Sequence, residues 1–225
     1  MMATMTVSRR QIYIKDPVSA LTHFIGFVAA LTATPFLILK KLNQGYTGIT
    51  LFSFFVFAAG LMLLYLASTT YHTVDGKRED IILFKKLDHM MIFILIAGTY
   101  TPICLTTLKD SVGLPLLIAV WSVGIIGMLF KLFWVTCPKL VSSFMYIAMG
   151  WLCIFAFPAI FRVMSFSEIR YLLSGGIAYT IGGVIYALKS KSFNERHPYF
   201  GTHEIFHCFV LLGSLLHFIF VYRFL

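Results

Sequence analysis

Seven apolar runs, each close to the ~20 residues an α-helix needs to cross hydrocarbon, divide the 225-residue chain. They fall at about 18–39, 48–71, 88–108, 112–134, 141–161, 170–188 and 203–223, a spacing set by that same ~20-residue requirement. This pattern leaves few folds open. In lipid every backbone amide must be paired within the protein, so only helices and closed barrels can span, and these runs are too long for barrel strands. The sequence therefore predicts an all-α integral membrane protein with seven transmembrane helices. Composition agrees, since 59% hydrophobic and 12% charged residues leave too little polar surface to cover a soluble domain. Connectors such as Asn43-Gln44-Gly45, Asp75-Gly76-Lys77, Cys137-Pro138 and His197-Pro198 interrupt the helices by turn chemistry. None is long enough for a second domain. The expected organisation is a cytoplasmic arm, residues 1–17, followed by one seven-helix domain, residues 18–225. The first run is too long for a signal h-region and has no small-x-small exit, so it reads as the first crossing.

Charge sets the expected orientation. One side of the membrane collects Arg9, Arg10, Lys15, Lys77, Arg78, Lys85, Lys86, Lys131, Lys139, Lys189, Lys191 and Arg196, twelve of the 18 Lys and Arg. The other collects Lys40, Lys41, Lys109, Arg162, Arg170 and Arg223. The positive-inside rule then places the N-terminus in the cytoplasm and the C-terminus outside. The formal net charge of +9 is accounted for by topology and anionic lipid headgroups, so nucleic acid is not an expected partner. Cys104, Cys137, Cys153 and Cys208 show no CxxC pairing and read as small core residues. Gly175, Gly176, Gly182 and Gly183 mark the sixth run as one that packs closely on a neighbour.

Ionisable groups in such a chain need a use, because burying them in lipid is costly. His203 and His207 stand four residues apart at the start of the last run and share a helix face. On the same cytoplasmic side, His72 ends the second run with Ser68 one turn deeper, and Asp88 opens the third. His72, His203 and His207 with one water would make an open tetrahedral zinc site. Asp88 would hold and polarise that water, and Ser68 would hydrogen-bond the water, the substrate or Asp88. Plainer readings stand beside these. Asp88 is also explained as an N-terminal helix charge favoured by the dipole. His89 and His197 fit ordinary interfacial residues, and His217, about 15 Å beyond His207 by helical rise, is expected to hydrogen-bond another helix. His23 enters from the cytoplasmic side without an assigned role.

Glu204 completes a His-Glu-x-x-His pattern, in which a zincin glutamate acts as general base. The intramembrane metalloprotease this suggests also needs a late Leu-Asp-Gly ligand. The only Leu-Asp here is Leu87-Asp88, followed by His89.

Taken in order, Ser68-Thr69-Thr70-Tyr71-His72, Lys86-Leu87-Asp88-His89, Ile96-Ala97-Gly98-Thr99-Tyr100-Thr101-Pro102, Tyr146-Ile147-Ala148-Met149-Gly150-Trp151 and His203-x-x-x-His207 with Gly213-Ser214 and His217 resemble the bacterial type of the hemolysin III branch of the progestin and adipoQ receptor family. The resemblance runs from about residue 16 to about residue 222, enough for seven helices of ~20 residues. It implies a multi-pass bacterial membrane protein with Zn2+ held by His72, His203 and His207, and with Asp88 and Ser68 beside the metal-bound water. It also implies kinship with membrane-embedded, metal-dependent hydrolases of lipid amides. Glu204 departs from the family pattern, which counts against a zincin. Three functions follow as expectations: a zinc-dependent hydrolase of a lipid amide or ester linked to membrane homeostasis, a non-enzymatic sensor or receptor with a structural zinc, and a cytolytic protein. Membrane lipids, with a lipid-like substrate or ligand, are the expected partners.

Overall fold

The computed structural model describes residues 13–225; Arg9 and Arg10, counted above in the cytoplasmic arm, lie outside them. Every regular element among the described residues is helical: α1 (Pro17–Asn43), α2 (Gly48–Thr73), α3 (Arg78–Leu105), α4 (Gly113–Phe133), α5 (Lys139–Gly150), a 3-10 segment (Trp151–Ala156), α6 (Phe157–Val163), α7 (Phe166–Leu188), α8 (Lys191–Arg196) and α9 (Thr202–Phe224). Six stretches are long and apolar enough to cross a membrane: α1, α2, α4, the composite Lys139–Val163, α7 and α9. The chain is thus a multi-pass, all-α membrane protein. α3 is a seventh long rod of 28 residues, but its first turns carry Arg78, Glu79, Asp80, Lys85, Lys86 and Asp88.

Each helix begins where local chemistry allows. Pro17 opens α1, where a missing N–H costs nothing and the fixed φ suits a first turn. Ser165 and Glu168 form a capping box on α7, satisfying two amides that no helical carbonyl can reach. At the opposite end of α9, the ammonium of fully buried Lys41 donates to the Tyr222 carbonyl at 3.3 Å and to Gln44 Oε1 at 3.0 Å.

Two sequence expectations are corrected. The third helix starts ten residues before Asp88, because charged turns extend it beyond the apolar run. Asp88 therefore sits well inside the helix, and the reading of it as a terminal charge on the dipole falls. The fifth run, expected as one helix over 141–161, is α5, a 3-10 segment and α6 in series. The break is tolerated because Tyr100 repairs it: its hydroxyl donates to the Gly150 carbonyl at 2.6 Å and accepts the Cys153 amide at 2.9 Å. Trp151 Nε1 also donates to Thr180 Oγ1 at 2.9 Å. Irregular backbone at this depth survives only with such partners.

The helices close into a ring. α1 packs on α2, α2 on α3, α3 on α5, α5 on α7, α7 on α9, and α9 back on α1, while α4 buttresses the outside of α3. The tightest seam joins α2 and α3. A Cβ on Gly60 would stand 3.2 Å from the Ile94 carbonyl oxygen, and one on Gly98 would stand 3.1 Å from that of Val56. Such reciprocal contact between backbones is how helices gain dispersion energy in lipid, which offers no hydrophobic drive between them. Replacing Gly98 by Val should therefore push the two helices apart and cost about 1–3 kcal/mol. A lowered midpoint of thermal unfolding in detergent would register it, whereas Gly150→Val, at a position open to space, should move the midpoint far less.

Candidate metal centre

The ring brings together the histidines that the sequence scattered. α2 ends at His72 and α9 begins at His203, 131 positions away. One nitrogen from each of His72, His203 and His207 lies within 4.8 Å of the other two, a grouping that could hold a metal ion. The ring centroids stand 5.0 Å (His72–His203), 5.2 Å (His72–His207) and 4.5 Å (His203–His207) apart. His72 and His207 are buried, 3% and 1% exposed.

Hydrogen bonds fix which nitrogens face inward. His72 Nδ1 meets Asp16 Oδ2 at 2.9 Å. A carboxylate only accepts, so Nδ1 carries the proton and Nε2 presents a lone pair. Thr22 donates its hydroxyl to the Ser19 carbonyl at 2.9 Å and meets His207 Nδ1 at 3.1 Å. With its hydrogen spent, Thr22 must accept from Nδ1–H, which again leaves Nε2 as a lone pair. His203 Nε2 stands 3.1 Å from His72 Nε2, while its Nδ1 is buried with no partner among the described residues. Two imidazoles are thus oriented by neighbours in the way ligating histidines require.

Asp16 and Thr22 are the residues that sequence reasoning missed. The available signal was Asp16-Pro17 at the entry to the first crossing. Asp16 also accepts the chain into place, since its amide donates to the His72 carbonyl at 2.9 Å. The His72 imidazole beside it holds the Asp16 carboxyl below its ordinary range.

Glu204 does not point chemistry at the cluster. Its Oε1 accepts from Ser19 Oγ at 2.5 Å and its Oε2 accepts the Gly201 amide at 2.8 Å, so it caps α9 and ties it to α1. His23 lies flat on His207, with centroids 3.6 Å apart and planes 10° from parallel. An ion in the plane of the His207 ring cannot also lie in the plane of His23, which leaves His23 outside the ligand set. His197 is exposed, as an interfacial residue should be. His89 is not interfacial: it is buried, with Nδ1 2.9 Å from the Lys85 carbonyl and Nε2 3.5 Å from the Tyr186 hydroxyl. His217 Nε2 bonds the Leu172 carbonyl on α7 at 3.0 Å, the interhelical bond expected of it.

The centre opens onto a cavity of about 150 Å³ inside the ring. Ser68, Asp88, His203 and His207 line its near end, and Leu108, Leu116, Ile160 and His217 line the far one. From His203 to His217 the α9 wall rises roughly 21 Å, so the cavity is a long, largely apolar tunnel. Among the described residues Ser68 Oγ is buried there without a partner, and the carboxylate of Asp88 makes no hydrogen bond, its one charged contact being His89 Nδ1 at 3.6 Å.

A family described as Haemolysin-III related matches residues 11–218. The chain belongs to that family. It is 39% identical over 202 residues to the Hemolysin-3 homolog of Bacillus subtilis (strain 168), covering 89% of this chain and 90% of that protein. Hemolysin-3 of Bacillus cereus is 35% identical over 216 residues, covering 96% and 94%. The kinship read from the motifs reaches the human Monocyte to macrophage differentiation factor, 24% identical over 175 residues, 76% of this chain and 69% of that one. The haemolysin-III-related match takes in all three clustered histidines, His72, His203 and His207.

Because Ser19 and Glu204 share one bond across 185 positions, their losses should couple. Ser19→Ala and Glu204→Ala should each cost about 1 kcal/mol, and the double variant clearly less than the sum. Thermal melts of the four proteins in detergent measure this; full additivity would break the assigned contact.

Proposed function

We propose that this protein is a zinc-dependent hydrolase of a lipid amide or ester, serving membrane homeostasis. It would be a single membrane domain with seven crossings, α3 counted among them, with the N-terminus in the cytoplasm and the C-terminus outside. The two-to-one distribution of Lys and Arg supports that orientation. The observation that carries the functional reading is a three-histidine cluster, two of whose members, His203 and His207, line one apolar tunnel with an otherwise unbonded carboxylate and an unpartnered serine.

The donor set suits zinc. Neutral imidazoles on three positions match the ligand number of catalytic sites, which keep a fourth position open. His72 and His207 already present Nε2 lone pairs, and the near-parallel stacking of His23 on His207 keeps that fourth ring out. His72, His203 and His207 would hold the ion. When bound, zinc supplies Lewis acidity and draws the pKa of water toward ~7.

The remaining work belongs to the chain. Asp88 would take the proton from the attacking water and return it to the departing nitrogen or oxygen. Ser68 would donate its hydroxyl to the substrate carbonyl oxygen as negative charge gathers there. The tunnel would take the acyl chain, keeping the scissile carbonyl at the histidine end and bulk water away from it. Asp16 and Thr22 would orient His72 and His207. A closed fourth position would favour the alternative, a structural staple in a sensor, but the position of His23 speaks for the open site.

Purified protein should carry about one zinc per chain, the stoichiometry of a single three-histidine catalytic site, and His207→Ala should strip it. Asp88→Asn should keep the metal yet lower release of fatty acid from a panel of lipid amides and esters by roughly 100-fold or more. Unchanged turnover in that variant would remove Asp88 as the base. Asp16→Asn, acting through His72, should weaken zinc binding by about 10–100-fold, as read by competition with a metal chelator.

A further inference from the structure

Deep in the tunnel the wall includes a histidine with one ring nitrogen that nothing among the described residues satisfies. His217 is buried, 8% exposed, on the wall of the cavity. Its Nε2 donates to the Leu172 carbonyl, so a neutral ring has only a lone pair at Nδ1, and that atom is buried with no partner among the described residues. An acceptor without a donor in an apolar wall is costly. Water is a poor remedy, because a buried water needs two to four polar partners. The neighbouring Tyr179 hydroxyl is engaged with Ser214 Oγ at 2.8 Å, and most of the tunnel lining is apolar, Leu108, Leu116 and Ile160 among it.

We propose that His217 Nδ1 is the recognition point for a hydroxyl group carried part-way along the ligand's acyl chain, so that the tunnel selects hydroxylated over plain chains. This rests on the reading of the tunnel as an acyl-chain site, and it deepens that reading by naming the substrate class. The position follows from the helix. His207 and His217 are separated by about 15 Å of rise, the reach of about a dozen carbons in an extended chain. A chain with its head at the histidine cluster brings that part of its length to Nδ1. A mid-chain hydroxyl has no partner among the acyl tails of a bilayer, so the pairing satisfies ligand and protein together.

The test is equilibrium binding to the full zinc-loaded chain in lipid nanodiscs, by displacement of a fluorescent fatty acid. The probes are stearate and hydroxystearates with the hydroxyl near the second, the twelfth or the last carbon. The twelfth-carbon isomer should bind about tenfold more tightly than stearate, with the other two close to stearate. His217→Phe should abolish the preference, bringing the affinities for the twelfth-carbon isomer and for stearate within about twofold of each other. His217→Gln, which keeps a donor for Leu172 and an acceptor, should retain part of it. Should His217→Phe fail to fold, the nitrogen resonance of His217 Nδ1 in the native protein provides the answer: the mid-chain hydroxystearate should move it and stearate should not. Equal affinities for all four probes, a preference that persists in His217→Phe, or an unmoved resonance would each overturn the proposal. So would failure of every fatty acid to bind, which also removes the acyl-chain site. A clear preference without hydrolysis of any hydroxyacyl amide or ester leaves the recognition point standing and removes the hydrolase reading alone.

Discussion

The hydrocarbon environment denies polar groups the partner that water would give them, and this bundle is organised by how it supplies substitutes. Tyr100 serves both a free carbonyl and a free amide where the Lys139–Val163 stretch breaks. Lys41 covers the Tyr222 carbonyl near the close of α9, and the buried Lys131 ammonium donates to Ser142 Oγ and Cys137 Sγ. Each is a long side chain reaching across a gap that a helix alone cannot close. A buried group left without such a partner is costly, so the few that remain stand out against a well-satisfied background. Ser68, His203 and His217 are among them, and all three face the tunnel.

The cluster itself depends on the same economy. Asp16 and Thr22 sit on the first helix or just before it, yet they determine which nitrogen His72 and His207 turn inward. Glu204, placed between the two histidines of α9, is fully occupied with Ser19 and the Gly201 amide. Its neighbourhood in sequence suggested a base; its hydrogen bonds make it a clamp between first and last helix.

Much of this was legible beforehand because lipid makes sequence unusually direct. Apolar length marks the stretches long enough to span, six of which the structure shows as helical stretches of that kind, and the starts of α2, α4 and α9 fall within a residue of the apolar runs. The four-residue spacing of His203 and His207 and the depth of His72 pointed to one layer of the membrane, which is where the ring places them. Other features were hidden for identifiable reasons. α3 begins in charged turns that hydropathy cannot register as helix. The break after Gly150 lies inside a continuous apolar stretch, and the side chain that satisfies it is Tyr100, fifty positions earlier. Asp16 reads as an ordinary polar residue before a proline until His72 comes to lie against it, and His89 reads as interfacial until α5 and α7 cover it.

The ring is closed by its last member. α9 brings two of the three clustered histidines and seals the space between α7 and α1. A chain made from its N-terminus offers His72 to the membrane long before its partners exist, since domains and their elements emerge in synthesis order. During that interval Ser19 and Thr22 lack Glu204 and His207, their partners on α9. The site comes into being in one step, with the docking of the terminal helix, and every earlier intermediate lacks it altogether.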